Sequence, residues 1–426
     1  MLNFKFHPIS YHSTALEKDV THHIIMVDYK KKHHLLSIPN LYLYEKTRSS
    51  SQTSKRYATL ITKFYKYLSK KPEFKSINPG DYHIHVTNTD LRQWQVYRQT
   101  LRQAKNSIHP SSETIFNDAC VILYFFKWLH LKKISSGVKI QLRTWVANFK
   151  DRRLLSYIEK KAKIIASTSS IRVLDKQKQQ KKARQLISNR DIQTLLSSYP
   201  DKVYKILFGF ALATAMRPME LVQFPYMGKG KNRHILPYSE MNEEPKTFKY
   251  EVLGKGNKLR EIIIPAYALK MIDDDYTKTE YPKRARLYKE KHGKNCPLSI
   301  LFLTSEGEPV SATSIANATN YAKTLAIAKD PEFLPSNMFY HTRKWWPTLM
   351  MIQHHDGDGI LEKNAEVMDL AITEVIVNQL GHESPTTTYQ HYLVLGRLLV
   401  MAKKGITHEL IHEKTINVHD AIAEYG

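Results

Sequence analysis

Five side chains in the second half of the chain have types and an order that suit chemistry on a phosphodiester. They are Arg217, Lys255, Arg343, His382 and Tyr392. Breaking a phosphodiester without a metal needs an in-line nucleophile, positive donors on the non-bridging oxygens, and an acid for the departing 5′-oxygen. Arginine suits the oxygens because its planar fork pairs with phosphate and stays charged. Tyrosine can attack, although its pKa of about 10 calls for a neighbouring base or electrostatic help.

Taken singly, each of these residues also has an ordinary structural explanation. Arg217 lies in the segment TAMRPMEL, where pairing with Glu220 at a helix end is the simpler interpretation. Lys255 lies in the glycine-flanked turn LGKGNK, which projects a lysine freely and is equally typical of a basic hairpin tip. The other two segments are YHTR, which ends at Arg343, and LGH, which ends at His382. It is their combination and order that is specific.

In that order, the four segments resemble the tyrosine recombinase (phage integrase) family. They are similar to its A-x-R-x-x-E-L box, its G-K-G-N-K hairpin, its H-x-x-R box, and its L-G-H segment before the nucleophilic tyrosine. The resemblance covers roughly residues 186–400. The basic helices predicted over 51–130, including the segment TSKRY, are similar to the family's core-binding domain.

The resemblance implies a role for each residue. Arg217 and Arg343 would clamp the scissile phosphate, and Lys255 would protonate the leaving 5′-oxygen. His382 would assist the phosphate and the nucleophile, and Tyr392 would form a 3′-phosphotyrosine. The glutamate of the first box would orient its arginine; that residue is Glu220.

The third box departs from the family pattern. Three positions before Arg343 stands Tyr340, where the family usually has histidine, and His341 follows it. Either Tyr340 takes the hydrogen-bonding role, or His341 reaches in from the next position. We prefer Tyr340 on register and keep His341 in reserve.

The spacing of the nucleophile also departs from the usual one. Nine residues after His382, a common family spacing, stands His391, with tyrosines at Tyr389 and Tyr392. The two tyrosines are three apart and would share a helix face, so spacing alone does not exclude Tyr389. We prefer Tyr392 and keep Tyr389 in reserve.

The segment HHDGDG, which begins at His354, invites interpretation as a metal site. Its spacing fits no standard ligand pattern, and we interpret it as a surface loop. We therefore expect no metal and no cofactor.

The elements around these residues predict a mainly α fold with a small antiparallel β-sheet. We expect an N-terminal extension with short strands (1–50), a helical core DNA-binding domain (51–164), a basic linker (165–186), a catalytic domain (187–400) and a C-terminal tail (401–426). Helices are expected from Ser51, near Thr89 and after Pro110, because apolar residues recur there at helical spacing. A hairpin is expected over 248–264, and strands within 35–44 and at 300–303. The tail is expected either to dock on a neighbouring subunit or to pack on its own domain.

The charge balance indicates a polyanionic partner. The 426 residues include 64 Lys and Arg against 40 Asp and Glu, for a formal net charge of +24. Candidate phosphate-contacting residues on the first predicted helix are Lys55, Arg56, Lys63 and Lys66. Only two cysteines occur and no apolar run approaches membrane length, so a cytoplasmic location without membrane contact is expected.

The leading hypothesis is a site-specific recombinase, either an integrase or a transposase of a mobile element. It would act as a homotetramer on double-stranded DNA at specific sites, with DNA-bending accessory proteins among its partners, at the nucleoid of a prokaryote. Two alternatives remain open: a type IB topoisomerase-like relaxing enzyme, and a catalytically silent DNA-binding architectural protein.

Overall fold

The computed structural model describes residues 2–14, 17–30, 32–107, 109–144, 164–173, 186–242, 244–254, 256, 258–363 and 367–403. The chain forms two compact units, Met1–Lys182 and Ala183–Gly426. The prediction of a mainly helical fold with a small antiparallel sheet is confirmed. Within the described ranges, no helix is both long and apolar enough to cross a membrane.

The first unit begins with a three-stranded antiparallel sheet. Strands β1 (Asn3–Ser13), β2 (Lys18–Tyr29) and β3 (Lys32–Leu35) pair in that order. The first two are longer than the short strands expected from the sequence, at 11 and 12 residues. Ile25 and Val27, two residues apart on β2, are buried and pack with the helices of this unit.

The strand expected within residues 35–44 is wrong. This stretch enters helix α1 (Ser37–Thr47). Pro39 fits the first turn of a helix because the amide groups there have no helical partner. Tyr42 and Leu43 then face the core of the unit.

The expected helices after residue 50 are present. They are α2 (Ser51–Leu68), the short α3 (Tyr82–His85), α4 (Asn88–Ala104) and α5 (Ser112–Leu131). Ser50 and Ser111 cap α2 and α5 by accepting backbone N–H groups of Thr53 and Thr114. Two short strands, β4 (Leu142–Thr144) and β5 (Ile164–Ala166), pair antiparallel after them. Residues 174–185 of the predicted linker lie outside the described residues.

The second unit is helical around one hairpin. Its helices are α6 (Asn189–Leu196), α7 (Lys202–Thr214), α8 (Pro218–Leu221), α9 (Ala266–Ile272), α10 (Tyr281–His292), α11 (Ala312–Lys329), α12 (Thr342–His354), α13 (Leu370–Leu380) and α14 (Pro385–Lys403). The hairpin pairs β6 (Thr247–Leu253) with β7 (Leu259–Pro265), as expected. The strand expected at 300–303 is wrong: only an isolated bridge joins Leu303 to Pro309, because the chain turns at 304–307.

Helices α7 and α12 form the centre of this unit. Residues Ile206–Ala213 of α7 are almost all buried, and Trp345 of α12 packs in the same core. Trp346 contacts a second apolar cluster formed by α13 and α14. Both tryptophans therefore anchor the helix that carries Arg343. Of the predicted tail, residues 404–426 lie outside the described residues.

Candidate active site

Arg217 follows the end of α7, at the edge of the apolar core. Ala215, the residue after the helix, has φ 55° and turns the chain sharply, which leaves Arg217 at the start of α8. Pro218 follows as the first helical residue, where a proline is well tolerated. The segment thus forms a sharp turn between α7 and α8, and Arg217 lies in this turn.

Glu220 joins two arginines at this turn. Its carboxylate accepts the backbone N–H of Arg217 and an N–H of the Arg217 guanidinium, both at 2.8 Å. Arg260 on β7 donates to both carboxylate oxygens, at 2.9 and 2.8 Å. Burial of Glu220 opposes ionisation, but these donors outweigh it and lower the pKa of the carboxyl group. The carboxylate is therefore ionised and holds Arg217 in place.

Arg260 was missed by the sequence analysis. Its partner Glu220 lies 40 residues earlier, and a basic residue in a strand carries no local signal. Its Nε also donates to the Gln379 carbonyl oxygen at 3.3 Å, so it connects the hairpin to α13 as well as to α8.

We expect Arg260→Met to lower the free energy of unfolding of the second unit by about 3 kcal/mol, because the buried carboxylate of Glu220 loses the guanidinium that donates to both of its oxygens. Urea denaturation measures this change. Lys249→Met is the matched control on the same hairpin: its ion pair with Glu261, 3.0 Å long, is exposed on both sides, and its loss should change stability by less than about 1 kcal/mol. Equal losses in both variants would contradict the role given to Arg260.

Arg343 lies in the first turn of α12 and is only 3% exposed. Its two terminal nitrogens donate to the carbonyl oxygens of Ala215 and Leu380. Burial, and after it the positive charge of the nearby Arg217, lower the pKa of Arg343 to about 10. The guanidinium groups of Arg343 and Arg217 are therefore held close together. Among the described residues, Glu220 is the anion that lies near both.

His382 follows the left-handed Gly381 that ends α13. Its Nδ1 lies 3.0 Å from the Thr388 hydroxyl oxygen, and that hydroxyl donates to the Ser384 carbonyl oxygen at 2.7 Å. Because the hydroxyl proton is used by Ser384, Nδ1 must be the donor and Nε2 the acceptor. Burial, then Arg343 and Arg217, lower the pKa of His382 to about 4. The imidazole is therefore neutral near pH 7.

The two candidate tyrosines differ in their surroundings. Tyr392 is 4% exposed, and its ring lies parallel to that of His382 with centroids 6.5 Å apart. Burial raises the pKa of Tyr392 to about 12, while Arg343 and Arg217 act to lower it. Tyr389 belongs to the same apolar cluster as Tyr392, but the charged groups near it are Asp369 and Arg397 instead. Only Tyr392 of this pair lies in the field of the two arginines.

Tyr340 and His341 also point to different places. Both belong to a short 3₁₀ helix, Phe339–His341, which precedes α12. Tyr340 is 52% exposed and interacts electrostatically with Arg343 and Tyr392. The groups that act on His341 are Lys344 and Lys323, and its buried Nδ1 has no hydrogen-bond partner among the described residues. The structure thus brings Tyr340, rather than His341, to the arginines.

The buried imidazole of His341 makes stability depend on pH. Burial, with Lys344 and Lys323, lowers the pKa of His341 to about 4, whereas an unfolded histidine titrates at about 6.5. Between these values the unfolded state binds a proton that the folded state does not, so stability falls as the pH falls from 6.5 to 4. Between pH 7 and 5, we expect the free energy of unfolding of His341→Gln to fall by about 2 kcal/mol less than that of the unaltered chain. Urea denaturation at the two pH values measures this difference. Identical losses would contradict this assignment.

Lys255, the expected leaving-group acid, lies outside the described residues, but its neighbours lie at the same cluster. A Cβ on Gly254 would lie 2.6 Å from the Arg260 guanidinium and 3.4 Å from Glu220, so a larger residue there would displace the Arg260 side chain. Lys258 forms an ion pair with Glu383, the residue after His382. Gly254 therefore lies against Arg260 and Glu220, and Lys258 lies beside the residue that follows His382.

Gln379 is a second residue that the sequence analysis missed. Its amide group donates to the carbonyl oxygens of Thr214 and Ile263 at 2.8 and 3.0 Å, and accepts the Ile263 N–H at 2.9 Å. It is 3% exposed and so ties the end of α7, the hairpin and α13 together. No local sequence pattern marks this glutamine, because its partners lie 165 and 116 residues away along the chain.

The predicted phosphate-contacting residues lie in the first unit, on α2. All four are exposed: Lys55, Arg56, Lys63 and Lys66. Arg56 lies 3.6 Å from Asp118, and its side chain is still 58% exposed.

No family model and no curated protein sequence matches the chain. Solved structures do match it, at low identity. One is XerH site-specific recombinase bound to palindromic difH substrate, a post-cleavage complex (14% identity, 88% of this chain, 85% of that chain, TM-score 0.48). Another is XerH bound to difH substrate, a pre-cleavage complex (14%, 84%, 80%, 0.47). A third is a lambda integrase dimer bound to a COC′ core site (12%, 84%, 76%, 0.44). These are the classes of protein that the motifs resemble; at such TM-scores the likeness by itself carries nothing about activity.

Proposed function

We propose that the chain is a tyrosine recombinase, a site-specific enzyme that breaks and rejoins DNA strands through a 3′-phosphotyrosine intermediate. The observation that carries this proposal is the convergence of Arg217, Arg343, His382 and Tyr392. Glu220 lies within 4.0 Å of both guanidinium groups. His382 and Tyr392 both lie within electrostatic reach of the same two arginines. The four residues come from α8, α12, the end of α13 and α14, segments far apart along the chain. A purely structural ion pair does not require a histidine and a tyrosine at the same place.

The two arginines support binding of an anion. Arg217 lowers the pKa of Arg343, which means that each cation destabilises its neighbour. A phosphodiester placed between them would remove this repulsion and accept hydrogen bonds from both guanidinium groups. In the transition state, where charge builds on the non-bridging oxygens, the same donors would bind more tightly.

His382 and Tyr392 would carry the proton and the new bond. Tyr392 is protonated at neutral pH, so its hydroxyl must lose a proton as its oxygen attacks phosphorus. The neutral His382 offers Nε2 as an acceptor, held by the hydrogen bond from Nδ1 to Thr388. The phosphorus–oxygen bond to the 5′-oxygen breaks as the phosphotyrosine forms, and an acid must protonate that oxygen. Lys255 at the hairpin tip is the proposed acid, and Tyr340 the proposed hydrogen-bond donor to the phosphate.

The biological setting is part of the proposal. We infer an integrase or transposase of a mobile element, acting as a homotetramer on two synapsed duplexes, with DNA-bending accessory proteins, at the nucleoid of a prokaryote. The exposed cations on α2 would contact phosphates and therefore add affinity without sequence preference. Because phosphotyrosine conserves the energy of the broken bond, strand rejoining would need no nucleotide.

A covalent-capture experiment tests the reaction and finds the site at once. The full chain is incubated with random-sequence duplexes that carry single nicks, and protein–DNA adducts that survive denaturation are isolated and sequenced. We expect the protein to be linked to the 3′-phosphate at the break, and the other end of the broken strand to carry a free 5′-hydroxyl. One sequence should be enriched among the captured duplexes. Two unnicked duplexes that contain this sequence should then exchange strands.

Other outcomes would identify the alternatives. Adducts without an enriched sequence, together with relaxation of supercoiled DNA and no exchange between duplexes, would indicate a type IB topoisomerase-like enzyme. Sequence-specific binding without any adduct would indicate an architectural DNA-binding protein. Either result would overturn the proposed recombinase.

A further inference from the structure

Three side chains that can bind metals meet at the opposite end of α12 from Arg343. His354 is the last residue of this helix, His355 follows it, and Asp369 precedes α13. Each offers one ligand atom, and these atoms all lie within 4.8 Å of one another. His354 stands eleven residues beyond Arg343, or roughly 16 Å along the helix, so this cluster is separate from that arginine, although Asp369 lies near the reserve tyrosine, Tyr389.

The carboxylate of Asp369 is held in position by the helix that it caps. One oxygen, Oδ1, accepts the backbone N–H groups of Ala371 and Ile372, at 3.1 and 3.4 Å. The other oxygen, Oδ2, lies 2.8 Å from Nε2 of His354. Oδ1 therefore caps α13, and Oδ2 is available as a metal ligand.

His355 gives the second, independent observation. It is only 5% exposed, and its Nε2 is buried without a hydrogen-bond partner in the part of the chain that the structure describes. A buried ring nitrogen without a partner costs free energy unless something binds the imidazole. Its ring lies at 71° to that of His354, with centroids 4.9 Å apart, so the two imidazoles approach edge to face rather than stacking.

The sequence spacing led us to expect no metal here, because Asp369 lies outside the segment that begins at His354. From the geometry we propose instead that His354, His355 and Asp369 bind one divalent transition metal ion, of which Zn²⁺ is the best fit. Two imidazoles and one carboxylate suit zinc and its neighbours, whereas Mg²⁺ and Ca²⁺ favour all-oxygen sites. Tetrahedral coordination with bonds of about 2.0–2.1 Å places ligand atoms about 3.4 Å apart. The present separations, from 2.8 Å up to 4.8 Å, bracket that value, so small side-chain rotations close the site.

The surrounding backbone supports a fixed site. After His355 the chain forms a short 3₁₀ helix, Gly357–Leu361, whose Ile360 is fully buried. Arg397 of α14 donates to the carbonyl oxygen of Ile360 at 3.0 Å and fastens this helix to the domain. The ion would tie the C-terminal end of α12 to the N-terminal end of α13, the two helices that carry Arg343 and precede His382.

Metal titration of the full chain tests the site without any DNA. The protein is stripped with EDTA, dialysed and titrated calorimetrically with Zn²⁺, and Co²⁺ is used as the absorbing probe. Other histidines among the 20 in the chain can bind weakly, so the criterion is the difference between variants. We expect one tight equivalent, an intense visible Co²⁺ band typical of four-coordination, and a rise in melting temperature of about 5 °C with excess Zn²⁺. Mg²⁺ should give none of these.

His355→Gln and Asp369→Asn should each weaken the tight equivalent at least about 100-fold and remove the Co²⁺ band. Asparagine keeps the helix cap, so Asp369→Asn should melt normally in EDTA. The matched control is His12→Gln, which removes a ring 3.1 Å from Asp19 in an exposed pair and should leave the tight equivalent intact.

Unchanged tight binding in His355→Gln, or the same stoichiometry in all variants, would overturn the proposal and assign the zinc to other surface histidines. If His355→Gln does not fold, the exposed His354→Gln gives the same test. A chain whose tight Zn²⁺ binding is lost in His355→Gln, but which forms no DNA adduct, would support this site and contradict only the proposed recombinase.

Discussion

Tyr392→Phe is expected to abolish covalent attachment to nicked DNA, with a loss of at least about a thousandfold. The variant removes one hydroxyl oxygen and keeps the ring that lies parallel to His382, so folding should be unaffected. Without that oxygen no phosphotyrosine can form. The measurement is the yield of denaturation-resistant protein–DNA adduct on a gel, with DNA binding followed separately to show that the variant still associates with its site.

Tyr389→Phe is the matched control for this prediction. It lies one turn earlier on the same helix and is equally buried, but its charged neighbours are Asp369 and Arg397 rather than the two clamping arginines. It should therefore keep most of its adduct formation. Attachment by Tyr392→Phe together with failure of Tyr389→Phe would show that the nucleophile is the reserve tyrosine.

The helices and the order of the chemical segments could be predicted because their signals are local. Ser50 and Ser111 cap helices whose apolar residues recur at helical spacing, and the structure places these helices where the pattern does. The hairpin around Lys255 was equally readable, since two alternating runs flank a glycine turn. Helix α1 was misread because Pro39 looks like a turn residue, although the first helical turn accepts proline.

The support of the site could not be predicted, because it depends on contacts between distant segments. Arg260 and Gln379 reach their partners across 40 and 165 residues, and neither lies in a periodic pattern. The choice between Tyr340 and His341 has the same origin. The two residues are adjacent on one 3₁₀ helix. The packing of α11 beside this helix brings Lys323 near His341, whereas Tyr340 faces the arginines. Likewise, Asp369 lies fifteen residues from His354, too far for any ligand-spacing rule.

Arg343→Lys is expected to lower the single-turnover rate of strand cleavage by about a thousandfold. Arg343 uses two nitrogens for two carbonyl groups, those of Ala215 and Leu380, and so joins the end of α7 to the end of α13. Lysine has one nitrogen and cannot make both bonds, nor can it present a planar fork to phosphate. Charge is retained, so the loss would report geometry. The rate is measured on the nicked substrate under enzyme excess, with the adduct as product.

Arg397→Lys separates this effect from a general loss of packing. Arg397 also donates to a main-chain carbonyl, that of Ile360, but it does so through Nε on α14 and away from the proposed phosphate site. Arg343→Lys leaves two carbonyl groups with fewer donors and Arg397→Lys leaves one, and each variant should lower the free energy of unfolding by about 1–3 kcal/mol. Only Arg343→Lys should also slow cleavage at a temperature where both proteins are folded. If the two variants cleave at the same rate, Arg343 holds the ends of α7 and α13 together and does not contact the scissile phosphate.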